Sequence, residues 1–580
     1  MESNQGKTVM FPDKDNTTIT GFRASAAVAR YSRVVAAEMY GEHRPYGYVY
    51  GGSGGAYKTI ACFENCINVW DGAVPFVMGS PISIPNVFTV QAHAMRVLRD
   101  KFPAIVEALE PGGSGDMYSG LTTEQREALA EVTRMGFPPK AWFNVAKIAI
   151  GYTGVFASLI DNMFDWDPEY FKDFWTVPGY LGANPPESLL RARVQHKTTI
   201  SKVIMASEAA KMGVPLTMPA KLGDSKTELP AMLQLESIPE GSLQGVAMTL
   251  MSGEAAGHTL HIAGAFGNLL FIGFGEAHFQ ALTKIKVGDE VELDNANYLA
   301  VQTYHRHQVP SPDYYVWDQF RAAGKPIYPQ RPVPVSPRYM RYAAGSIPTG
   351  RFAGKMIVVQ SLMDEAAIPW QADWYRTLVK AALGPRLDDN YRLWFTENAM
   401  HTTQTALPTD PRPVATTRVI SYVGVVEQGL RDLSAWVEKG LAPPASTVYK
   451  VVDGQVQVPP TAAERKGIQP VVMLNANGGA LAKVAVDETV EFSAVIEVPQ
   501  GAGTVVAAEW DFEGAGDYPL VEQFDDTNTS MTCVTLKTTY AFSKPGTYFP
   551  ALRATSQRQG DFKTRIARIR NIGRVRVVVR

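Results

Sequence analysis

Tyr46-Gly-Tyr-Val-Tyr-Gly-Gly-Ser-Gly-Gly55 is the stretch on which the reading of this chain turns. Tyr46 to Tyr50 is a short aromatic and apolar run with strand character. Gly51 to Gly55 is a glycine cluster around one serine, and Ala56 to about Asn65 continues as a helix. Gly51-x-Ser53-x-Gly55 between a strand and a helix meets the conditions for a nucleophile elbow. The turn is so sharp that flanking residues must be small, and the serine projects into the cleft above the sheet. The backbone N–H of Gly54, at the helix start, is placed to help hold an oxyanion.

Upstream, residues 22–40 read as an amphipathic helix ended by Gly41; downstream, Gly72 to Met78 reads as a buried strand. Helix, strand, tight turn, helix and strand is the rhythm of a parallel α/β sheet. That rhythm is lost between Ser80 and about Arg351. The helical segments Ile84–Arg99 and Thr123–Met135 come first, then an aromatic-rich stretch from Met163 to Tyr180. A turn with alternating flanks follows at Lys286–Leu293, and a proline-rich passage from Pro326 to Pro337. The rhythm returns with a strand at Lys355–Met363, a helix at about Gln371–Leu383, a strand at Tyr391–Phe395 and a helix at about Thr417–Lys439.

The expected organisation is therefore a sheet domain from residues 1–80 and 351–445, interrupted by a mixed lid or substrate insertion at 81–350. The pairs Pro443-Pro444 and Pro459-Pro460 mark 446–468 as a linker. Residues 469–580 show short alternating strand patterns and no helix signal, which predicts an all-β module.

A serine needs a base, and the base an orienting acid, here in the chain order serine, acid, histidine. Asp364 follows the apolar strand Met356–Val359. His401 sits in the loop Glu397-Asn-Ala-Met-His-Thr402, just past the strand ending at Phe395. Both fall on the sheet edge that carries Ser53. Glu365 and Asp373 compete as acids, with Asp373 expected on the next helix and facing outward. His43 precedes the elbow strand and falls on the opposite edge. His305 and His307 would share one face of a strand, and His258 and His261 one face of a helix. Neither pair has a carboxylate or cysteine at ligand spacing, so no metal is expected.

Several motifs together resemble α/β-hydrolases of bacterial secreted type. They are Tyr48-Val-Tyr-Gly-Gly-Ser-Gly-Gly55, Trp370-Gln-Ala-Asp-Trp-Tyr375, Ala399-Met-His401 and Ala435-Trp-Val-Glu-Lys-Gly-Leu-Ala-Pro-Pro444. The closing helix is also similar to that of the tannase and feruloyl esterase family, although the elbow lacks the cysteine beside serine that this family uses. The resemblance implies an α/β-hydrolase fold and ester hydrolysis through an acyl-enzyme, with the insertion as lid. Glu509-Trp-Asp-Phe-Glu-Gly514 and Thr539-Tyr-Ala-Phe-Ser-Lys-Pro-Gly-Thr-Tyr548 resemble the two signatures of a PKD domain, an immunoglobulin-like sandwich. That implies an extracellular or cell-surface enzyme whose sandwich serves as a spacer or contacts a polymer.

In this reading Ser53 attacks, His401 moves the proton, Asp364 holds the imidazole and Gly54 N–H stabilises the oxyanion, with a second donor near Gln5 or Gly6. The substrate is a small-molecule or polymer-linked ester. Trp166, Trp175, Tyr180, Tyr314 and Tyr315 are candidates for an apolar acyl pocket, each with core packing as the competing role. Two alternatives stay open: an amidase or peptidase using the same residues, and a binding protein that kept the elbow. The scarcity of strands before Ser53 leads to the expectation that the front of the sheet domain and a secretion signal are missing, leaving Tyr46–Tyr50 as an exposed edge.

The bulk properties narrow the field. The 580 residues are 46% hydrophobic and 19% charged, with a net charge of −2, which gives no electrostatic case for nucleic acid or an anionic membrane. Three cysteines (Cys62, Cys66, Cys533) make no disulfide framework. The longest apolar stretch, Ile262 to Phe274, is too short to span a bilayer. The basic tail from Arg565 to Arg580 reads as a terminal strand with solvated side chains. No dinucleotide fingerprint or phosphate loop occurs, and no cofactor is expected.

Overall fold

A computed structural model describes residues 17–150, 159–212, 228–240, 243–272, 280–402, 417–524 and 531–580. At its centre lies a four-stranded sheet in the order Tyr48–Gly52, Gly72–Phe76, Lys355–Ser361, Tyr391–Thr396. All of its pairings are parallel. The last two strands are buried almost throughout, which is why they read as continuous apolar runs rather than alternating ones. Tyr48–Gly52 has a strand partner on one side only among the described residues, and Tyr50 on it is exposed.

The helix Val423–Lys439 packs across this sheet. Leu433 presses on Gly72, where a Cβ would lie 2.8 Å from the leucine side chain. The helix starts later than the expected Thr417.

The insertion begins with the helices Asn86–Leu98, Phe102–Leu109 and Thr123–Arg134, the last held by a capping box between Thr122 and Gln125. It then forms a closed six-stranded antiparallel barrel between Gln195 and Asp294 with its own apolar core. The sequence reading anticipated only the part near Lys286–Leu293. Register shifts at Ile200/Lys202, Ile204/Met205 and Ile262/Gly264 break the alternation that would have announced the other strands. The described part of the long apolar stretch is two of these strands, Thr259–Phe266 and Leu269–Ile272. Among the described residues no helix is long and apolar enough to cross a membrane.

The described residues between 469 and 580 form strands and turns with no helix. Val471–Ala476, Thr489–Glu497 and Cys533–Ala541 pair antiparallel, as do Leu520–Val521, Thr504–Asp511, Ala551–Gln557 and Ile569–Arg574. Trp510 and Phe512 are buried and stack at 5.5 Å. The core of this module is continuous with the face of the central sheet that the closing helix covers: Val74, Ile357, Trp394 and Leu433 belong to one apolar cluster with Val490 and Trp510.

Three expectations change here. The 446–468 segment is an ordered strap. Leu393 N–H donates to Ser446 Oγ at 3.1 Å, Thr447 N–H to Leu393 O at 2.9 Å and Phe395 N–H to Thr447 Oγ1 at 3.0 Å. The strap thus occupies backbone groups on the outer edge of the Tyr391–Thr396 strand. It continues as a hairpin, Lys450–Val452 with Gln455–Gln457, in which Gln455 Nε2 donates to Thr133 O at 2.6 Å. Proline pairs there signal extended backbone, not freedom from contact.

The basic tail is not solvated throughout. Arg574 pairs with Glu110 at 2.8 Å and Arg576 with Glu107 at 2.5 Å, joining the last strands to the helix Phe102–Leu109. The histidine pairs also sit differently. His261 is on a strand and His258 just before it, while His305 and His307 lie on a 3₁₀ turn, Tyr304–His307.

Candidate functional site

The elbow is built by close approach. A Cβ at Gly51 would lie 2.7 Å from Gly55 O, and one at Gly52 would lie 2.3 Å from the Phe76 ring, so only glycine fits either position. Ser53 joins strand to helix with φ 57° and ψ −121°, a conformation that side chains rarely adopt. Three backbone hydrogen bonds hold it there: Ser53 N–H donates to Phe76 O at 3.1 Å, and Ser53 O accepts from Ala56 N–H at 2.9 Å and from Tyr57 N–H at 3.3 Å. Gly54 is the first residue of the helix Gly54–Asn65, where backbone N–H groups have no intrahelical acceptor.

The structure brings Ser53, His401 and Asp364 into one hydrogen-bonded line. Ser53 Oγ lies 2.8 Å from His401 Nε2, and His401 Nδ1 lies 2.8 Å from Asp364 Oδ1. With Nδ1–H donating to the carboxylate, Nε2 is the acceptor for the serine hydroxyl. Asp364 is fully buried, and its charge is met by four donors. Oδ1 accepts from His401, from Ala366 N–H at 3.0 Å and from Ala367 N–H at 2.6 Å; Oδ2 accepts from Gln360 Nε2 at 3.4 Å. Burial pulls the His401 pKa down, but the charge and hydrogen bond of Asp364, with the charge of Glu365, outweigh it and leave it raised.

The competing acids take other positions. Glu365 Oε2 accepts the backbone N–H of His401 at 3.2 Å, not a ring nitrogen. Burial, then the neighbouring Asp364 charge, push its carboxyl up to about 7. Asp373 is on the helix Trp370–Leu383, as expected, but it does not face outward. It is half-buried and accepts from Tyr449 at 2.6 Å and Tyr315 at 3.1 Å. His43 is exposed and contacts Gly41 O. Gln5 and Gly6, the candidates for a second oxyanion donor, lie outside the described residues.

Sequence reasoning missed the support around the site. Tyr422 OH donates to His401 O at 2.9 Å, and Gln91 Nε2 donates to Glu365 O at 2.5 Å. Gln360 also accepts from Met78 N–H, tying the loop after Phe76 to the acid. Residues so far apart in sequence carry no joint signal in it.

The five aromatic candidates are engaged in packing. Trp166 contacts Tyr339 at 4.8 Å, Trp175 meets Phe174 edge-on, Tyr180 stacks on His307 and Tyr314 stacks on Trp374. Tyr315 bonds Asp373. Of the paired histidines outside the site, His305 Nε2 meets Glu131 at 2.7 Å and His261 Nε2 meets Asp161 at 2.8 Å, while His307 Nδ1 contacts Pro329 O at 2.8 Å and His258 Nδ1 contacts Ala255 O at 3.1 Å. Among the described residues no group of histidine, cysteine and carboxylate side chains is arranged to hold a metal ion. The arrangement at Ser53 is suited to nucleophilic attack assisted by a general base.

No family model and no curated protein matches the chain. Among solved structures, feruloyl esterase B from Aspergillus oryzae aligns over 76% of this chain and 69% of its own, at 11% identity and a TM-score of 0.26. An esterase from Aspergillus oryzae aligns over 76% and 68%, at 15% identity and 0.24. Tannin acyl hydrolase from Aspergillus niger aligns over 78% and 69%, at 11% identity and 0.29.

Proposed function

We propose that this chain is a serine hydrolase of the α/β-hydrolase kind that cleaves a carboxylic ester. The observation that carries the reading is the continuous line from buried Asp364 through His401 to Ser53, each step 2.8 Å, with the serine on a strained strand-to-helix turn.

Ser53 Oγ attacks the acyl carbon while His401 Nε2 takes its proton. The tetrahedral oxyanion receives the N–H of Gly54. Collapse breaks the acyl–oxygen bond, and the imidazolium returns its proton to the departing alcohol. Water then repeats the sequence on the acyl-enzyme, releasing the carboxylic acid and restoring Ser53. Asp364 fixes the imidazole tautomer and stabilises the cation that forms at each transfer. The buried setting supports this role, because fixed donors rather than water meet the carboxylate oxygens.

Fluorophosphonate labelling read by intact mass tests the reading. One adduct on the wild type, absent from Ser53→Ala, is the expected result. No adduct on a folded sample would overturn it. Chromogenic esters assayed beside aminoacyl anilides separate ester from amide cleavage. The all-β module, read as PKD-like, would then be a spacer or polymer-contacting appendage of an extracellular enzyme, which binding to insoluble polysaccharide would test.

A further inference from the structure

A cavity of about 360 Å³ lies where the loops bearing Asp364 and His401 meet the C-terminal sandwich. Met363, adjacent to Asp364, and Asn398, in the loop leading to His401, form part of its wall. Leu109 and Phe143 come from the insertion, and Ile572 from the sandwich. No part of the proposed acyl transfer uses this space.

Its charges are unequally committed. Lys140, Arg418 and Arg574 border it, against Glu110 and Glu397. Glu110 is already shared by Arg418 and Arg574, and Glu397 is taken by Arg465 at 2.7 Å. Lys140 is exposed, and its charge acts on Glu397 across the cavity without a hydrogen bond or ion pair among the described residues. Arg418 and Arg574 each engage Glu110 through Nη1, which leaves their Nη2 groups without a hydrogen bond among the described residues. A guanidinium donor without an acceptor gains most from an anionic one. The Arg418 guanidinium lies 5.2 Å from the centre of the Phe143 ring, so cationic and aromatic surfaces adjoin.

We propose that this interdomain cavity binds a small organic carboxylate. Lys140 and the two guanidinium groups hold its charge, and Leu109, Phe143 and Ile572 hold its apolar body. Leu109, Phe143 and Ile572 are apolar patches in an otherwise polar lining, a combination that suits an organic acid with a small apolar body. This inference stands apart from the reading of Ser53, since it needs no turnover.

Titration calorimetry of the full chain with benzoate, and with neutral benzamide as the control, tests it. Saturable one-to-one binding of benzoate alone is expected, weakened on the order of tenfold or more in Lys140→Glu and in Arg574→Gln. Lys140 is on the surface, so that variant tests the site even if Arg574→Gln fails to fold. Absence of saturable benzoate binding in the millimolar range would overturn the proposal. So would equal binding of benzamide, or affinity unchanged in Lys140→Glu.

Discussion

Asp364 Oδ1 receives the Nδ1–H of His401 at 2.8 Å while two backbone N–H groups, from Ala366 and Ala367, converge on the same oxygen. The carboxylate is thus held by its own loop before it meets the imidazole. Asparagine at this position could present its amide NH₂ toward the ring and favour the wrong tautomer. Under the proposed mechanism Asp364→Asn lowers kcat for an activated ester by roughly 10³- to 10⁴-fold. Steady-state kinetics with a parallel melting curve check this, and retention of more than a tenth of wild-type kcat would remove Asp364 from the mechanism.

The pH profile follows from the raised His401 pKa. The imidazole must be neutral to accept the serine proton, so kcat/KM falls as pH drops through that pKa. The acid limb is expected above the ordinary imidazole value of 6.5. Replacing Glu365, whose charge contributes to the upward shift, by glutamine moves that limb to lower pH. A pH–rate profile of Glu365→Gln in which the limb is unmoved would show that Glu365 does not act on His401.

Glu365 has a stability consequence of opposite kind to the usual carboxylate. Its folded pKa, about 7, lies above the unconstrained 4.5, so between these values the folded state binds the extra proton. Stability on this account is full below pH 4.5 and declines as pH rises through 7, by at most about 1.4 kcal/mol per pH unit. Glu365→Gln can keep an oxygen for the His401 N–H and removes the ionisation. Denaturant titrations across that window should show a flatter pH dependence for the variant than for the wild type.

The elbow depends on the missing side chain at residue 52. A methyl group there would enter the Phe76 ring, and Phe76 is on the neighbouring strand of the sheet. Gly52→Ala is expected to cost about 1–3 kcal/mol of stability and to suppress fluorophosphonate labelling, because the strand must shift beneath Ser53. A variant that melts like the wild type and labels at the same rate would mean that the ring moves aside freely.

What could be read from the sequence was what is encoded locally. The Gly51–Gly55 cluster, between a strand and a helix, specifies a turn by its own sterics. Asp364 and His401 each follow an apolar run that ends at a sheet edge, so their placement followed from the strands. The barrel was not legible, because its register shifts interrupt the alternation on which strand reading depends. His258 and His261 were assigned to a helix because two residues three apart cannot establish a period. Arg574 was read as solvated because its partner, Glu110, is 464 positions away in the chain. Tyr422 and Gln91 were invisible for the same reason: each meets the site through contacts made only by the fold.

A largely buried ion pair joins the closing helix to the all-β module. Arg558 donates to the Asp432 carboxylate at 2.8 and 3.1 Å, and Gln428 Nε2 donates to it at 2.8 Å. Burial raises the Asp432 pKa, and the nearby Arg558 charge opposes this without cancelling it. Arg558→Met keeps most of the apolar stem and leaves the carboxylate buried beside a neutral neighbour, at a cost of roughly 2–4 kcal/mol near neutral pH. With the guanidinium gone, the folded pKa of Asp432 rises further above its unfolded value of 3.8. Stability is then lost as pH rises through that wider interval, so the deficit relative to wild type should shrink on acidification. Because one apolar cluster runs from the central sheet through this helix into the all-β module, the variant should still melt in a single transition. A deficit independent of pH would assign the loss to packing rather than to the charge of Asp432.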